Sequence, residues 1–433
     1  MALGEFNLIA KYFAQPQELL GHPMVSETSD LGDDCAIVQV KSGYDLLVTT
    51  DTMVENSHFY PEIHPYDLGY KAVVTNLSDI VSKGGIPTWV SLALTLPQAH
   101  PTWLEAFSQG LFDALQVYNV RLIGGDTVQG KELSVTITAQ GTVAHNQAFT
   151  RKAAQVGDAI FVTGTLGAAY AGFRLLEALH QKYFANYSNP ITTFAPAFTV
   201  GVSTHSVYQS SRFPLISSQE VDYSCFIKDP SQAEFYRNLC QTLIVKNLHP
   251  QTLTKFVQRF HGYVNASMDI SDGLFSDLRH ILELSQVNAQ INLEALPAHP
   301  YLKPLVELTD PQQLLLSSPE ILALKGGEDY QILFTVGADK VESFKAEIAK
   351  SGLLGLITQI GTITPATPEQ LQAARASSET LAIGSNFVPQ VSYYKNGEEV
   401  NLSQLIEQDI FTKTQDQELA HKTVNSLIFE HFN

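Results

Sequence analysis

Residues 35–40 (CAIVQV) and 45–50 (DLLVTT) are short runs of mostly apolar and β-branched residues separated by Ser42-Gly43, which predicts two strands joined by a tight turn. Over residues 66–83 the spacing changes. Leu68, Ala72, Val73, Leu77, Ile80 and Val81 recur at helical intervals. Gly84-Gly85 and then Pro87 end that helix. A third strand is predicted at 89–96, a second amphipathic helix at 102–118 and a further strand at 132–143. The order is β-β-α-β-α-β, an α/β sandwich expected to form an N-terminal domain over residues 1–150.

Gly157-Asp158 opens a second α/β domain, expected over residues 151–433. Its predicted elements are a strand at 159–163, a helix at 166–180, a strand at 264–270, a helix at 272–286 and a strand at 289–293. A strand at 329–336, a helix at 339–351 and a strand at 356–363 follow. Residues 183–250 are rich in Ser, Asn, Pro and Tyr with mixed periodicity, and read as an insertion or long excursion. Residues 401–433 read as a largely helical C-terminal extension.

Composition narrows the class. Of the 433 residues, 44% are apolar and 16% charged, ordinary for a globular chain. No apolar run reaches about 18 residues, so no membrane span is expected. Met1 to Gln15 carries Glu5 and Lys11 and lacks a small-residue cleavage site, so a cytoplasmic protein is expected. Cys35, Cys225 and Cys240 are too few for a disulfide framework and are expected to be reduced, mostly buried thiols. The net charge is −18, and no Lys/Arg cluster stands out, which argues against a nucleic-acid partner.

The distribution of aspartates carries more information than their number. Asp33 and Asp34 precede a strand, Asp51 follows Thr49-Thr50 at the end of the next, and Asp79 lies in the first helix. Asp126 follows Gly124-Gly125, and Asp269 and Asp272 follow a later strand. Each alone suits a turn or a helix cap. Asn76, Asp79 and Lys83 share one helix face, which also suits plain solvation. Together, if they converge, these carboxylates would repel one another unless cations intervene. Oxygen donors without Cys or His select Mg²⁺ or Ca²⁺, and such sites commonly leave positions for phosphates. Gly124-Gly125 would let backbone N–H groups approach a phosphate, or would simply turn the chain. Gly164 to Gly167 is better read as a helix-entry turn than as a phosphate site. No P-loop and no protein-kinase signature occurs. Arg151 could clamp a phosphate or make a surface ion pair. His58, Glu328 and Phe429 are further candidates, each with an ordinary structural alternative.

These motifs, taken in order, resemble the thiamine-monophosphate kinases, of the superfamily that includes aminoimidazole ribonucleotide synthetase and selenophosphate synthetase. The matching segments include Gly4 to Ile9, Gly32 to Ala36, Thr49 to Val54, Gly69 to Ala72 and Asn76 to Ile80. They continue with Leu92 to Pro97, Leu122 to Thr127, Asp269 to Leu274 and Gly326 to Phe334. The resemblance implies a two-domain α/β architecture of the aminoimidazole ribonucleotide synthetase type, in which N-terminal domains pair in a homodimer to form a β-barrel. It implies Mg²⁺ ligands at Asp34, Thr49, Thr50, Asp51, Asp79, Asp126, Asp269 and Asp272. It places ATP contacts on Gly125, Asp126, Arg151 and Ser271, and thiamine monophosphate contacts on His58, Glu328 and Phe429. Asn56-Ser57 before His58, Val128-Gln129 after Thr127 and Lys152-Ala153 after Arg151 depart from the family pattern.

The expected reaction is direct transfer of the ATP γ-phosphoryl group to thiamine monophosphate, with Asp126 and Arg151 carrying the catalysis. The alternatives are another ATP-dependent enzyme of the superfamily, such as a cyclo-ligase or selenophosphate synthetase, a non-catalytic protein that binds thiamine phosphates or nucleotide, or an interaction scaffold that docks through residues 183–250. The absence of a cysteine before Cys35 disfavours the selenophosphate enzyme.

Overall fold

The structure is a computed structural model that describes residues 8–14, 25–29, 33–184, 223–254, 259–377 and 387–422. These fall into two compact units. One lies within Met1–Ala148, Leu176–Asp222 and Leu248–Pro250, the other within Phe149–Leu175, Tyr223–Asn247 and Gln251–Asn433.

In the first unit, β1 (Val25–Ser29) pairs antiparallel with β2 (Ile37–Val40). A separate four-stranded sheet follows, built from β3 (Tyr44–Val54), β4 (Ile86–Leu96), β5 (Arg121–Gln129) and β6 (Ser134–Ala144). Its order is β3-β6-β4-β5, antiparallel except for the β4–β5 pair. Helices α1 (Pro65–Ser82) and α2 (Pro101–Tyr118) supply the apolar residues that pack with the sheet. Leu68, Val73, Leu77, Phe107 and Leu111 are fully buried there with Val90 and Ile137. Glycine permits the close helix crossing: a Cβ on Gly69 would sit 2.3 Å from the Phe107 carbonyl oxygen, and one on Gly110 only 1.9 Å from that of Tyr66.

The predicted strand order lacked two members. β1 has no clear alternation, and β5 is hidden by Gly124-Gly125, which break the apolar pattern expected of a strand. The doublet is not a turn. It lies inside β5, where the β4 register slips between Val90 and Ser91. A Cβ on Gly125 would fall 2.0 Å from the Leu92 carbonyl oxygen, so strand packing by itself demands glycine at this position.

The second unit is built on a seven-stranded sheet. Its strands are β7 (Ala159–Thr163), β8 (Val264–Asp269), β9 (Asn288–Asn292), β10 (Ile332–Val336), β11 (Ile357–Thr364), β12 (Val391–Lys395) and β13 (Glu398–Val400). The order is β13-β12-β9-β11-β7-β10-β8, and only the β12–β9 pair is parallel. β7 and β10 are buried at every position, which explains why both are predominantly apolar without alternation, each holding a single threonine, Thr163 and Thr335. Ile160, Val162 and Leu333 join one core with Leu274, Leu278 and Ile281. Phe161 and Phe334 stack and meet Phe344 edge-on, with Phe260 against the same ring.

Ten α-helices are defined among the described residues. In this unit they are α3 (Ala168–Leu179, whose last turn passes into the first unit), α4 (Ala233–Leu248, whose last residue does the same), α5 (Leu274–Ser285), α6 (Leu302–Leu308), α7 (Pro319–Lys325), α8 (Val341–Lys350), α9 (Pro368–Ser377) and α10 (Leu402–Thr414). The sequence pattern missed α6, α7, α9, β12 and β13. The reading of 183–250 as one excursion is corrected at its C-terminal end. There α4 buries Tyr236, Leu239, Cys240, Leu243 and Ile244, so 233–248 is part of the packed framework. Residues 185–222 lie outside the described residues. The expectation for the cysteines also needs revision, since Cys240 is buried, Cys225 half-buried and Cys35 exposed, all three free.

Candidate functional site

In the first unit, β3 and α1 bring three of the expected residues together. The Thr49 hydroxyl donates to Asp79 Oδ2 at 2.7 Å, and the Asp51 backbone N–H donates to Asn76 Oδ1 at 2.9 Å. Asn76 is 1% exposed and Nδ2 donates to the Ala72 carbonyl. The solvated-face reading of Asn76 and Asp79 therefore fails, because Asn76 pins the backbone of Asp51 and Asp79 accepts from Thr49.

Thr50 is separated from this group by strand alternation. Its hydroxyl lies on the opposite face, 3.0 Å from the Thr138 hydroxyl, just as Thr52 meets Thr136 at 2.9 Å. Asp51 lies within β3 rather than at its end, because the strand continues to Val54. Asp34 is exposed just before β2, with its backbone N–H donating to Asp33 Oδ1 at 2.8 Å. His58 sits in the loop after β3, exposed, its Nδ1 accepting from the Val54 N–H at 3.1 Å. Asp126 is exposed on β5. β3 and β5 are opposite edges of the sheet, so Asp51 and Asp126 stand three strand spacings apart, about 14 Å along it.

In the second unit, two loops are joined. Asp269 ends β8, 4% exposed, and Asp272 lies exposed just beyond Ser271. The Glu328 N–H donates to the Ser271 carbonyl at 2.7 Å, and the Tyr330 N–H to that of Ile270 at 2.9 Å. The loop carrying Glu328 is thus held directly on the Asp269–Asp272 loop. Arg151 is half-buried in a turn, where its carbonyl accepts from the Ser285 hydroxyl at 3.1 Å. Phe429 lies outside the described residues.

Two buried carboxyl groups that sequence reasoning did not single out hold these loops in shape. Asp277, in the first turn of α5, accepts the backbone N–H groups of Asp272 and Gly273, each at 3.1 Å. Burial, followed by the charges of Asp272 and Asp269, pushes its carboxyl up to about 8. Asp329 accepts the N–H groups of Gly167 and Ala169, at 2.5 and 3.1 Å. These are the opening amides of α3, so the Gly164–Gly167 segment is a helix entry capped from within, as expected. Burial pushes the Asp329 carboxyl up to about 7. Its neighbours Glu328 and Tyr330 both adopt left-handed backbone conformations, φ 65° and 49°. The only trace of Asp277 in the sequence was an acid near a helix start, and Asp329 stood in the shadow of Glu328.

The candidate donors are all oxygen, which suits a hard cation such as Mg²⁺ or Ca²⁺ rather than zinc. The charges of Asp272 and Asp269, which add to burial in pushing up the Asp277 carboxyl, are the kind of repulsion that a divalent cation relieves. Among the described residues, however, no three His, Cys, Asp or Glu side chains lie close enough together to hold a metal ion. Each unit by itself offers partial sets, Thr49 with Asp79 in one and the Asp269–Asp272 loop in the other.

Comparison with known proteins places these features in a family. Residues 32–143 match the family model "AIR synthase related protein, N-terminal domain". The thiamine-monophosphate kinase of Haemophilus influenzae is 39% identical over 350 residues, 81% of this chain and 87% of that protein. The crystal structure of thiamine-monophosphate kinase from Stenotrophomonas maltophilia is similar over 92% of this chain and 99% of its own, at 28% identity and a TM-score of 0.59. A solved structure of AaThiL complexed with AMPPCP and TMP is 26% identical, with a TM-score of 0.56, over 86% of this chain and 89% of its own. On the Haemophilus influenzae match, which spans most of both proteins, the chain belongs to the thiamine-monophosphate kinase family.

Proposed function

We propose that this protein uses ATP to phosphorylate thiamine monophosphate, forming thiamine diphosphate and ADP. The observation that carries this is the near full-length similarity to thiamine-monophosphate kinases, supported by a similar protein solved with AMPPCP and TMP. In the proposed step, a phosphate oxygen of thiamine monophosphate forms a bond to the γ-phosphorus of ATP. The bond from that phosphorus to the β–γ bridging oxygen breaks, and ADP leaves with the electron pair. The acceptor oxygen is already anionic near neutral pH, so no strong base is required.

Mg²⁺, held by Asp34, Asp51, Asp79, Asp126, Asp269 and Asp272 with Thr49 and Thr50, would neutralise charge as two polyanions meet. Thr50 would take part through its main-chain carbonyl, since its hydroxyl is turned to the other face. Gly125, Asp126, Arg151 and Ser271 would bind the nucleotide, with Arg151 countering charge on the transferred group. His58, Glu328 and Phe429 would bind thiamine monophosphate. Residues 1–150 and 151–433 would act as the two domains of a cytoplasmic enzyme.

A coupled ADP-release assay tests the reading. Turnover is expected with thiamine monophosphate and Mg²⁺, and none with thiamine or aminoimidazole precursors, or after the metal is removed. Turnover with an aminoimidazole precursor in place of thiamine monophosphate would point to the cyclo-ligase branch instead.

A homodimer fits the open face of the four-stranded sheet. Val48 is 60% exposed and Leu46 46%, on the face turned away from α1. Apolar groups at that exposure favour burial against another surface. A second copy would also bring its own sheet edges to those carrying Asp51 and Asp126. Val48→Glu is expected to yield a monomer in analytical ultracentrifugation; a native and variant species of equal mass would argue against this face.

A further inference from the structure

We infer that Asn247, at the end of α4, is a positioning residue that sets the Glu328 carboxylate for substrate. The inference rests on the reading above that Glu328 contacts thiamine monophosphate. Asn247 is 2% exposed, and its Nδ2 donates to Glu328 Oε2 at 2.5 Å, across 81 residues of chain.

Three features make this contact more than an incidental one. The amide is on a rigid support. α4 lies so close to α3 that a Cβ on Gly172 would sit 2.2 Å from the Leu243 carbonyl oxygen, and Leu243 and Ile244 are fully buried. The Glu328 backbone is equally constrained. It holds a left-handed conformation, its N–H is taken by Ser271, and the next residue is tied to the opening of α3. Between a fixed helix and a fixed loop, the Glu328 side-chain torsions are what remains to be set, and a neutral amide donor sets them without discharging the carboxylate. An ammonium at the same place would neutralise that charge, and would compete with any electron-poor ring or amino group of the substrate.

The consequence is that α4, drawn from a stretch that composition marks as an excursion, contributes to recognition of the acceptor substrate. It does so from behind Glu328, and the nucleotide is not involved. The effect therefore belongs in KM for one substrate.

Steady-state kinetics of Asn247→Ala, Asn247→Ser, Glu328→Ala and the Asn247→Ala/Glu328→Ala double variant, on the full chain, test the inference, with thermal unfolding to confirm folding. Asn247→Ala is expected to raise KM for thiamine monophosphate about tenfold, the lower end of what one hydrogen bond to a charged group contributes. KM for ATP and kcat should hold. The double variant should have no higher KM for thiamine monophosphate than Glu328→Ala, because the proposed effect of the amide on that substrate runs through the carboxylate. Asn247→Ser, which keeps a hydroxyl donor on the same helix, should give an intermediate KM, and it carries the test if the alanine variant does not fold. An unchanged KM in both Asn247 variants beside a raised one in Glu328→Ala would overturn the positioning role and leave the substrate reading standing. An unchanged KM in Glu328→Ala would overturn both. Additive effects in the double variant would show that Asn247 acts elsewhere.

Discussion

Asp126→Asn is expected to lower turnover by about two to three orders of magnitude while leaving the fold intact, the loss typical when one preorganised electrostatic group is removed from a site. Asp126 lies exposed on the edge strand β5, where its side chain is not part of the core. Substitution at such a surface position ordinarily changes stability by no more than about 0.5 kcal/mol. Asparagine keeps the shape and one oxygen but removes the negative charge, so a metal ligand would be weakened with little steric change. The measurement is ADP release across a Mg²⁺ titration, paired with thermal unfolding. A structural aspartate would show the reverse pattern, near-native turnover with an altered melting temperature. Near-native turnover would remove Asp126 from the catalytic machinery, while part-recovery at high Mg²⁺ would support its role as a ligand.

The second large effect is on stability. Asp329→Ala would leave the Gly167 and Ala169 N–H groups without their acceptor at a buried helix start, each costing roughly 1–3 kcal/mol. A pH signature identifies the same group. An unfolded aspartate titrates near 3.8, whereas burial carries this one to about 7. Between those values the native state holds a proton that the unfolded chain has lost. The contribution of Asp329 to stability is therefore greatest at low pH, falls as pH rises through that window, and levels off above about 7. The slope from one such group is at most about 1.4 kcal/mol per pH unit. Native protein should lose more stability between pH 5 and pH 8 than Asp329→Asn, which has no proton to lose. Identical pH dependence in the two proteins would mean that Asp329 is ionised across the whole range.

Most of the α/β skeleton was legible in the chain, and the reason is visible in particular elements. β7 and β10 are predominantly apolar because both faces are covered, and α1 keeps its 3.6-residue spacing through Leu68, Val73, Leu77 and Ile80. β5 was not legible, since the glycines that let it pack on β4 are the residues that disguise a strand. The candidate site divided similarly. Its aspartates stood out as a set, but the sequence could not tell that the Thr49 hydroxyl reaches Asp79, that the Thr50 hydroxyl meets Thr138, or that Asn76 is buried against the Asp51 backbone.

By itself the sequence determined where most of the longer helices and strands form, which acids recur in glycine-rich contexts, and which family those motifs resemble. These depend on neighbours a few residues away, and periodicity records them. Only the tertiary structure decided that Asp51 and Asp126 occupy opposite sheet edges, that Asp329 caps a helix 160 residues earlier, and that Asn247 reaches Glu328. Strand order and buried hydrogen bonds join segments far apart in the chain. Their partners are chosen by packing, which leaves no local periodicity to read.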